Sequence, residues 1–565
     1  MFSKLKLLIA CVCVAVASSA AYAQSDPYAT LREAYAKGDA ARAADAYHTD
    51  ATYAEIYARI APSVRAGMPA IRAGMEAFFR QLGVGPNDPA DLNFRIVSRT
   101  TSDQLTRDTG YYRIAIGKGA KRQTFFGQFV TGWRDGKFQF DISGEANESD
   151  FEAAVGPLMF ADEDEELSAS YYDSLVGYFP KDASCGLLVT RSVRRLFLFD
   201  DCSGDWRGLS RVSGRVWTAG QKLIDPTPVD RYSFESDKLT RTGQLPQTLT
   251  KATPYLLEPV SFGDKVKLAG TVYQPTGATS RSAAIVLVHG SGPQDRNGYA
   301  SYIALLAHHL ARAGLIVLTY DKRGTGLSGG DPATAGFEAL SADARVAMEY
   351  LRTRDDVDPK RVGLGGSSQA GWIAAMAIRD GGNPAFAMLV GAAGSALTVE
   401  EQNIYNTRVR MTCAGIASPQ IKLALDQQRA FFAARRSVSG DAALARLSAD
   451  AARYPALVDW LFPATVNRNG AGDWYDILDP DFDPLPIWRA YQGKAFFLFG
   501  SLDDSTPTTD TVRRIASIKN AQIKVLKDAQ HLGLTARSLC ASDVTNVSRF
   551  HPSFFSTLNT WAKSL

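Results

Sequence analysis

The stretch Gly363-Leu364-Gly365-Gly366-Ser367-Ser368-Gln369-Ala370-Gly371-Trp372 decides the fold of this chain. It reads as a serine held on a sharp turn between a strand and a helix. Such a turn needs small residues two positions before and two after the serine, because the strand and helix backbones nearly touch there. Ser368 meets that need with Gly366 and Ala370, whereas Ser367 would put Gln369 in the crowded position. Ser368 is therefore the candidate nucleophile. The pattern departs from G-x-S-x-G by one methyl group, that of Ala370.

A serine hydroxyl is a weak nucleophile until a base takes its proton and a carboxylate orients that base. A serine on this kind of turn finds its acid, and then its histidine, farther along the chain. The chain has six histidines, and only His531 and His551 follow Ser368. Residues 522–527 read as a strand that runs into a loop carrying His531. His551, beside Pro552 at the start of the last helix, reads as a surface or capping residue. His531 is thus the preferred base. The acid is expected after the preceding strand, and the apolar run 495–500 is of the buried-strand type. It leads into Ser501-Leu502-Asp503-Asp504. Asp503 is preferred over Asp504; the competing role for both is to cap a helix from about Thr508.

Acyl chemistry also needs backbone N–H groups aimed at the charge that develops on the substrate's carbonyl oxygen. A further buried-strand run, residues 283–288, is followed by His289-Gly290-Ser291-Gly292-Pro293. The N–H of Gln369 is expected to be joined by that of Ser291 or Gly292, with His289 buttressing the loop.

Four motifs now stand in order: His289-Gly-Ser-Gly-Pro-Gln-Asp-Arg296, Tyr320-Asp-Lys-Arg-Gly-Thr-Gly-Leu-Ser328, Asp358 through Trp372, and Gly500-x-x-Asp503-x-x-x-Pro507. Together they resemble the bacterial secreted α/β-hydrolase carboxylesterases, over about residues 254–565. The resemblance implies a mostly parallel eight-stranded sheet flanked by helices. It further implies a serine that attacks an ester and passes through an acyl-enzyme, with Asp503 and His531 as acid and base and with no cofactor. About a hundred residues separate the strand at 385–390 from that at 495–499. Helical stretches at 399–410 and 420–437 fill the gap, which in this fold forms a cap, here residues 396–490. Its aromatics Trp460, Phe462, Trp474, Tyr475 and Trp488 line either an apolar pocket or the cap's own core. A serine peptidase of prolyl-oligopeptidase type shares the triad, although Gln369 stands where that family often has tyrosine. A binding protein that kept the fold without catalysis is the alternative of another class.

Gly324-x-Gly326-x-x-Gly329 matches a dinucleotide fingerprint and follows a strand, but it runs into Gly330-Asp331-Pro332 instead of opening a helix. There is no His-Glu-x-x-His, Cys-x-x-Cys or Gly-Lys-Ser/Thr motif, so no metal or phosphate site is indicated.

At the start of the chain, Lys4 and Lys6 precede an apolar run from Leu7 to Ala17, and Ala21-Tyr22-Ala23 offers small residues for cleavage. Residues 1–23 are thus expected to be a secretory signal, placing the protein in the periplasm or outside the cell. No later segment is long and apolar enough to span a bilayer. Removing Lys4 and Lys6 takes the formal net charge from +3 to +1. A nearly neutral mature chain offers no argument for nucleic acid or an anionic membrane as partner, and the partner that the carboxylesterase resemblance implies is a small-molecule ester. Cleavage also leaves Cys185, Cys202, Cys413 and Cys540. Cys185 and Cys202 bracket an expected hairpin and can pair across it. Cys413 and Cys540 either pair or remain buried thiols.

Before the hydrolase-like region, at 251–565, two further domains are expected. Residues 24–150 show helical patterns at 28–47 and 70–82, then strands at 92–100, 109–116, 123–133 and 137–142, the last pair joined across Asp135-Gly136. This order resembles the nuclear transport factor 2-like cone fold, which implies either a second pocket or a homo-oligomer formed through this domain. His48 and Asp50 are its candidate pocket groups, or else a structural pair at a helix end. Residues 151–250 carry an acidic run at 162–166, read as a solvated linker or a helix start, and continue as short strands. This part resembles the β-rich segment that precedes the catalytic domain in some secreted esterases.

Overall fold

The computed structural model describes residues 27–565 apart from 57–62, 103–104, 117–122, 147–150, 152–168, 193–194, 222, 224–228, 243–245, 278–280, 332–334, 437–439, 452, 455–456, 462–480 and 542–548. The expected signal, the acidic run at 162–166, and Phe462, Trp474 and Tyr475 lie outside the described residues. The chain forms two compact units: Met1–Ser168 with Ser210–Trp217, and Ala169–Leu209 with Thr218–Leu565.

In the first unit the helix expected over 28–47 is two helices, Pro27–Lys37 and Ala40–Ala44, broken at Gly38 and Asp39. Asp39 takes the N–H of Arg42 on its side chain, so it starts a new helix and ends the continuous one. Tyr47 then opens the strand Tyr47–Ile56. That strand escaped the sequence reading because His48, Thr49 and Asp50 interrupt its alternation. A six-stranded sheet follows, in the order Ser63–Ala66, Tyr47–Ile56, Lys137–Glu145, Gln123–Arg134, Leu105–Ile116, Ala90–Ser102. Arg134 pairs with Lys137, and the two residues between them, Asp135 and Gly136, have φ of 52° and 70°. This is the mirror-image turn that suits a tight hairpin. The helix Met68–Leu82 and the first helix pack Tyr28, Tyr35, Ile71 and Phe79 against Phe94, Phe129 and Phe138.

A cavity of about 40 Å³ remains among Tyr47, Tyr53, Tyr112, Phe129 and Asp141. Tyr47 Oη donates to Asp141 at 2.6 Å and Ser143 Oγ at 3.1 Å. Burial nevertheless pushes the Asp141 carboxyl up to about 6. His48 and Asp50 are not among the groups that line the cavity; they pair with each other on the exposed side of their strand.

Beyond the six-stranded sheet the chain forms two more sheets. One is a meander of eight strands, from Gly177–Pro180 to Gln247–Thr250, each strand beside its neighbours in sequence. Its hairpin Gly186–Ser192 with Arg195–Asp200 is closed by a Cys185–Cys202 disulfide. Phe197, Phe199 and Trp206 share a core with the helices Tyr302–Arg312 and Phe554–Ala562. The Phe550 ring lies 5.6 Å from Phe199 and 5.4 Å from Trp206, centroid to centroid.

The other sheet consists of β1 (Tyr255–Phe262), β2 (Leu268–Pro275), β3 (Ser282–Val288), β4 (Ile316–Tyr320), β5 (Val357–Ser367), β6 (Phe386–Val390), β7 (Lys494–Gly500) and β8 (Ala521–Leu526). Their order is β1-β2-β4-β3-β5-β6-β7-β8. β1 and β2 run antiparallel to their neighbours, and β3 to β8 are all parallel. Along β3, Ala284, Val286 and Val288 enter one core while Ala283, Ile285 and Leu287 enter the other. Both faces are covered by helices, which is why the central strands are continuous apolar runs with no alternation.

Because β3 to β8 are parallel, their C-terminal ends and the loops after them collect at one edge, the usual place for a site in such a sheet. Between β6 and β7 lie the helices Val399–Cys413, Ser418–Arg435, Gly440–Ala451 and Val458–Leu461. The first opens with a capping box between Thr398 and Glu401. It ends at Cys413, which is disulfide-bonded to Cys540 in the loop beyond His531. Trp488 belongs to the sheet's core: its ring lies 5.4 Å from that of Phe497, and its Nε1 donates to Gly394 O at 3.0 Å.

Candidate active site

Ser368 follows β5 directly and, with Gln369, makes the two-residue turn into the helix Ala370–Arg379. It holds φ = 56°, a left-handed conformation uncommon outside glycine, in which the side chain is thrust off the turn. A Cβ on Gly366 would lie 2.2 Å from Val288 O and 2.6 Å from Ala370 Cβ, so the position accepts only glycine. The methyl group of Ala370 does fit opposite it. Ser367 is buried, whereas Ser368 is partly exposed. The Ser368 N–H donates to Val390 O at 3.0 Å, tying the turn to the end of β6.

The next residue, Gly391, connects this turn to the other two side chains. A Cβ there would meet His531 O at 2.3 Å, and it would stand 3.1 Å from His531 Nδ1 and 3.3 Å from Asp503 Oδ2. His531 Nδ1 faces both oxygens of Asp503 at 3.0 Å. Asp503 is 2% exposed, and its Oδ1 also accepts the N–H groups of Ser505 (2.8 Å) and Thr506 (2.7 Å). Among the described residues no hydrogen bond joins Ser368 Oγ to His531. Burial alone would lower the pKa of His531, but the charge of Asp503 and its hydrogen bond, with Asp504 behind, outweigh it and raise the imidazole above its ordinary value. For Asp503, burial pushes the carboxyl up against the pull of His531 and the two N–H groups.

Asp504 accepts from Ser505 Oγ at 3.1 Å, and Asp504 does not reach His531 within ion-pair distance. Neither aspartate caps the helix Thr508–Ile515, whose N-cap is Pro507. His551 accepts the Ser553 N–H at 3.1 Å, a local turn bond ahead of the last helix.

On the other side of Ser368, a Cβ on Gly290 would lie 3.7 Å from Ser368 Cβ, so the loop after β3 runs past the serine. Among the described residues, no backbone bond is made by the N–H groups of Ser291, Gly292 or Gln369. His289 is fully buried, and its Nε2 faces Asp295 O at 2.9 Å. Burial, with Lys322 nearby, drives its pKa down to about 3, so the ring is neutral and acts as a strut.

The loop from Asp321 to Gly330 packs against the loop after β3 and opens no helix; the next helix is Phe337–Arg352. Arg296 clasps Asp321 through Nε (3.0 Å) and a terminal nitrogen (2.7 Å), the planar fork that a carboxylate matches best. Arg323 makes the same two-pronged contact with Asp343. Lys322 Nζ reaches Gly290 O, Gly292 O and Gln369 Oε1. Sequence reasoning passed over Lys322, for which the Asp-Lys-Arg-Gly motif was the available signal. It also passed over Tyr405, whose Oη donates to Asp503 O at 2.7 Å, and no local pattern marks that residue.

Residues 285–540 match the model of the Alpha/beta hydrolase family. An uncharacterized protein of Mycobacterium tuberculosis is 37% identical over 115 residues, which is 20% of this chain and 38% of the relative. Esterase EstD of Thermotoga maritima is 37% identical over 112 residues, 18% of this chain and 27% of that protein. The chain thus spans well under half the length of these curated relatives. Among solved structures, an esterase of Pyrococcus furiosus is matched at 14% identity over 55% of this chain and 89% of that one, with a TM-score of 0.35. Est1E of Butyrivibrio proteoclasticus, solved with ferulic acid bound, is matched at 13% identity over 54% and 96%, also with a TM-score of 0.35. On the match at residues 285–540 and on the sheet order, the C-terminal part of this chain is an alpha/beta hydrolase domain.

Proposed function

We propose that the chain is an exported serine carboxylesterase in which Ser368 is the nucleophile, His531 the base and Asp503 the group that orients it. The observation that carries this reading is the Asp503–His531 pair beside Gly391, whose neighbour Val390 holds the turn of Ser368. Ser368 Oγ attacks the ester carbonyl carbon while His531 Nε2 takes its proton. The carbonyl oxygen gains the negative charge and is met by the N–H of Gln369 with that of Ser291 or Gly292. His531 returns the proton to the departing alcohol, which leaves an acyl-enzyme, and a water activated by the same imidazole releases the acid. Asp503 holds Nδ1–H throughout, so that Nε2 is the nitrogen facing the serine. The reading calls for no cofactor or metal.

The name of the Thermotoga relative, an esterase, supports the substrate class. The apolar run after Lys4 and Lys6 supports export, and the two disulfides suit an oxidising compartment. For the first unit we propose the nuclear transport factor 2-like cone and a homo-oligomer formed through its sheet. Val64, Ala54, Ile142 and Val130 are lateral neighbours across four strands, and Val64, Ile142 and Val130 are exposed.

A panel of p-nitrophenyl esters run beside peptide anilides tests the substrate class. Turnover of esters with anilides untouched is the expected result; cleavage of anilides at comparable kcat/KM would make the protein a peptidase.

A further inference from the structure

A buried cation with no anionic partner among the described residues lies behind the candidate site. Lys322 is 7% exposed, and its Nζ donates to Gln369 Oε1 at 2.8 Å and to Gly290 O and Gly292 O at 3.0 Å each. Among the described residues no carboxylate lies within ion-pair distance of it, since the adjacent Asp321 is taken by Arg296 at 2.7 Å. An ammonium has three donors, and here all three are used. A neutral amine would have two donors and would turn a lone pair toward one of these oxygens, so the contact set calls for the charged form. Burying an unpaired charge is costly, and a fold that keeps one is expected to use it.

The three acceptors are informative. Gln369 follows the serine, and Gly290 and Gly292 flank Ser291. A trans peptide sets its C=O and N–H in opposite directions, and the chain has no cis bonds among the described residues. Holding Gly290 O on Lys322 therefore aims the N–H of Ser291 away from the ammonium. The N–H of Gly292 belongs to a peptide unit whose oxygen, that of Ser291, accepts from Gln294 Nε2 at 2.6 Å. The peptide unit after Gly292 ends in Pro293, which has no N–H. Lys322 thus sets the direction of the Ser291 donor, and its hold on Gly292 O fixes the loop's far end.

We infer that Lys322 is a positioning residue for the oxyanion side of the site: it orients the N–H of Ser291, locks the residue carrying the second donor through the Gln369 side chain, and places a fixed positive charge behind both. The inference rests on the acyl-transfer reading above. When Ser368 attacks, the substrate oxygen turns from neutral to anionic, so a fixed cation behind the donors favours the transition state over the bound ester. Its loss is then felt in kcat more than in KM. The charged and titratable groups around Lys322 are His289, which is buried and neutral, the Arg296–Asp321 pair, and the Arg323–Asp343 pair. Burial lowers the pKa of Lys322 to about 8, within reach of an assay.

The test compares the full chain with Lys322→Met, using p-nitrophenyl butyrate and a fluorophosphonate label, with melting temperatures measured alongside. The expected result is a folded variant whose kcat falls by about 10²-fold, comparable with loss of an oxyanion donor, while KM stays within about threefold. In the wild-type chain kcat should also decline as pH rises through about 8, and Lys322→Met should lack that decline. A folded Lys322→Met with kcat within about threefold of wild type overturns the inference. If the variant does not fold, the wild-type profile decides, and a kcat that stays level to roughly two units above the lysine value overturns it. A wild-type chain that neither turns over the ester nor takes the label contradicts the esterase reading itself, a result distinct from either of these.

Discussion

At the scale of single residues, the basicity of His531 follows from two opposed effects. Burial favours the neutral ring, while Asp503 and, behind it, Asp504 favour the charged one and prevail. In the proposed reaction the base must be neutral to accept the serine proton, so kcat/KM should climb with pH through an apparent value above the ordinary ~6.5 of histidine, ahead of the decline through about 8 expected from Lys322. Asp503→Asn removes the raising influence, so the inflection should move to lower pH while kcat drops on the order of 10⁴-fold. Asp504→Asn should stay within about tenfold, because the hydrogen bond to His531 Nδ1 is made by Asp503. A profile that ignores Asp503→Asn, or a larger loss from Asp504→Asn, would contradict the assignment. The left-handed turn at Ser368 and the contact of Asp503 with His531 were legible in the sequence because each residue follows a strand that reads as an apolar or alternating run, and the spacing of the small residues singled out Ser368 over Ser367. Lys322 and Tyr405 were not legible as parts of the site. Their partners lie 30 to 98 residues away in the chain, and only the folding of one loop onto another brings them there.

At the scale of elements, the disulfide between Cys413 and Cys540 joins the end of the helix Val399–Cys413, the first of the proposed cap, to the loop that follows His531. That helix also reaches the acid loop through Tyr405 Oη and through Gln402 Nε2, which donates to Ser505 O at 3.2 Å. The bridge closes a loop of 127 residues, for which the chain-entropy effect is large, typically about 2 to 5 kcal/mol for a native bridge. Replacing both cysteines by serine should lower the melting temperature and expose the cap to proteases, with kcat/KM falling as the cap loosens. Unchanged melting and protease resistance would show that packing alone holds the cap. Central strands and cap helices were readable, since apolar runs and helical patterns are local signals. The pairing of Cys413 with Cys540 was not, because an even count of cysteines allows several connectivities. The strand Tyr47–Ile56 was missed for a related reason: its inward face carries tyrosines and small residues, and its polar start hides the alternation.

At the scale of the whole molecule, the two units differ in what their buried polar groups do. In the first, Asp141 is fully buried and its pKa is raised to about 6, above its unfolded value. For a carboxyl shifted this way the stabilising contribution is fully present below the unfolded value near ~3.9 and is lost as pH rises toward the folded one. Asp141→Asn keeps an acceptor for Tyr47 and removes the charge, so it should raise the stability of this unit at pH 7 to 8 by on the order of 1 to 3 kcal/mol and flatten its dependence between pH 4 and 6. Melting followed as a function of pH checks this, and a destabilised Asp141→Asn at neutral pH would mean the carboxylate has an unseen compensating partner. In the second unit Arg296 pairs with Asp321 and Arg323 with Asp343, whereas Asp503 and Lys322 are the buried charges proposed to serve the site.

Ser368 carries the proposed chemistry. Fluorophosphonate labelling of the wild-type chain, Ser368→Ala and Ser367→Ala, with melting temperatures compared, tests it most directly. Ser368→Ala should lose all labelling and about 10⁴- to 10⁶-fold in kcat with its melting temperature little changed, and Ser367→Ala should still take the label. Labelling that survives Ser368→Ala, or vanishes only in Ser367→Ala, would contradict the assignment of the nucleophile and the reading built on it.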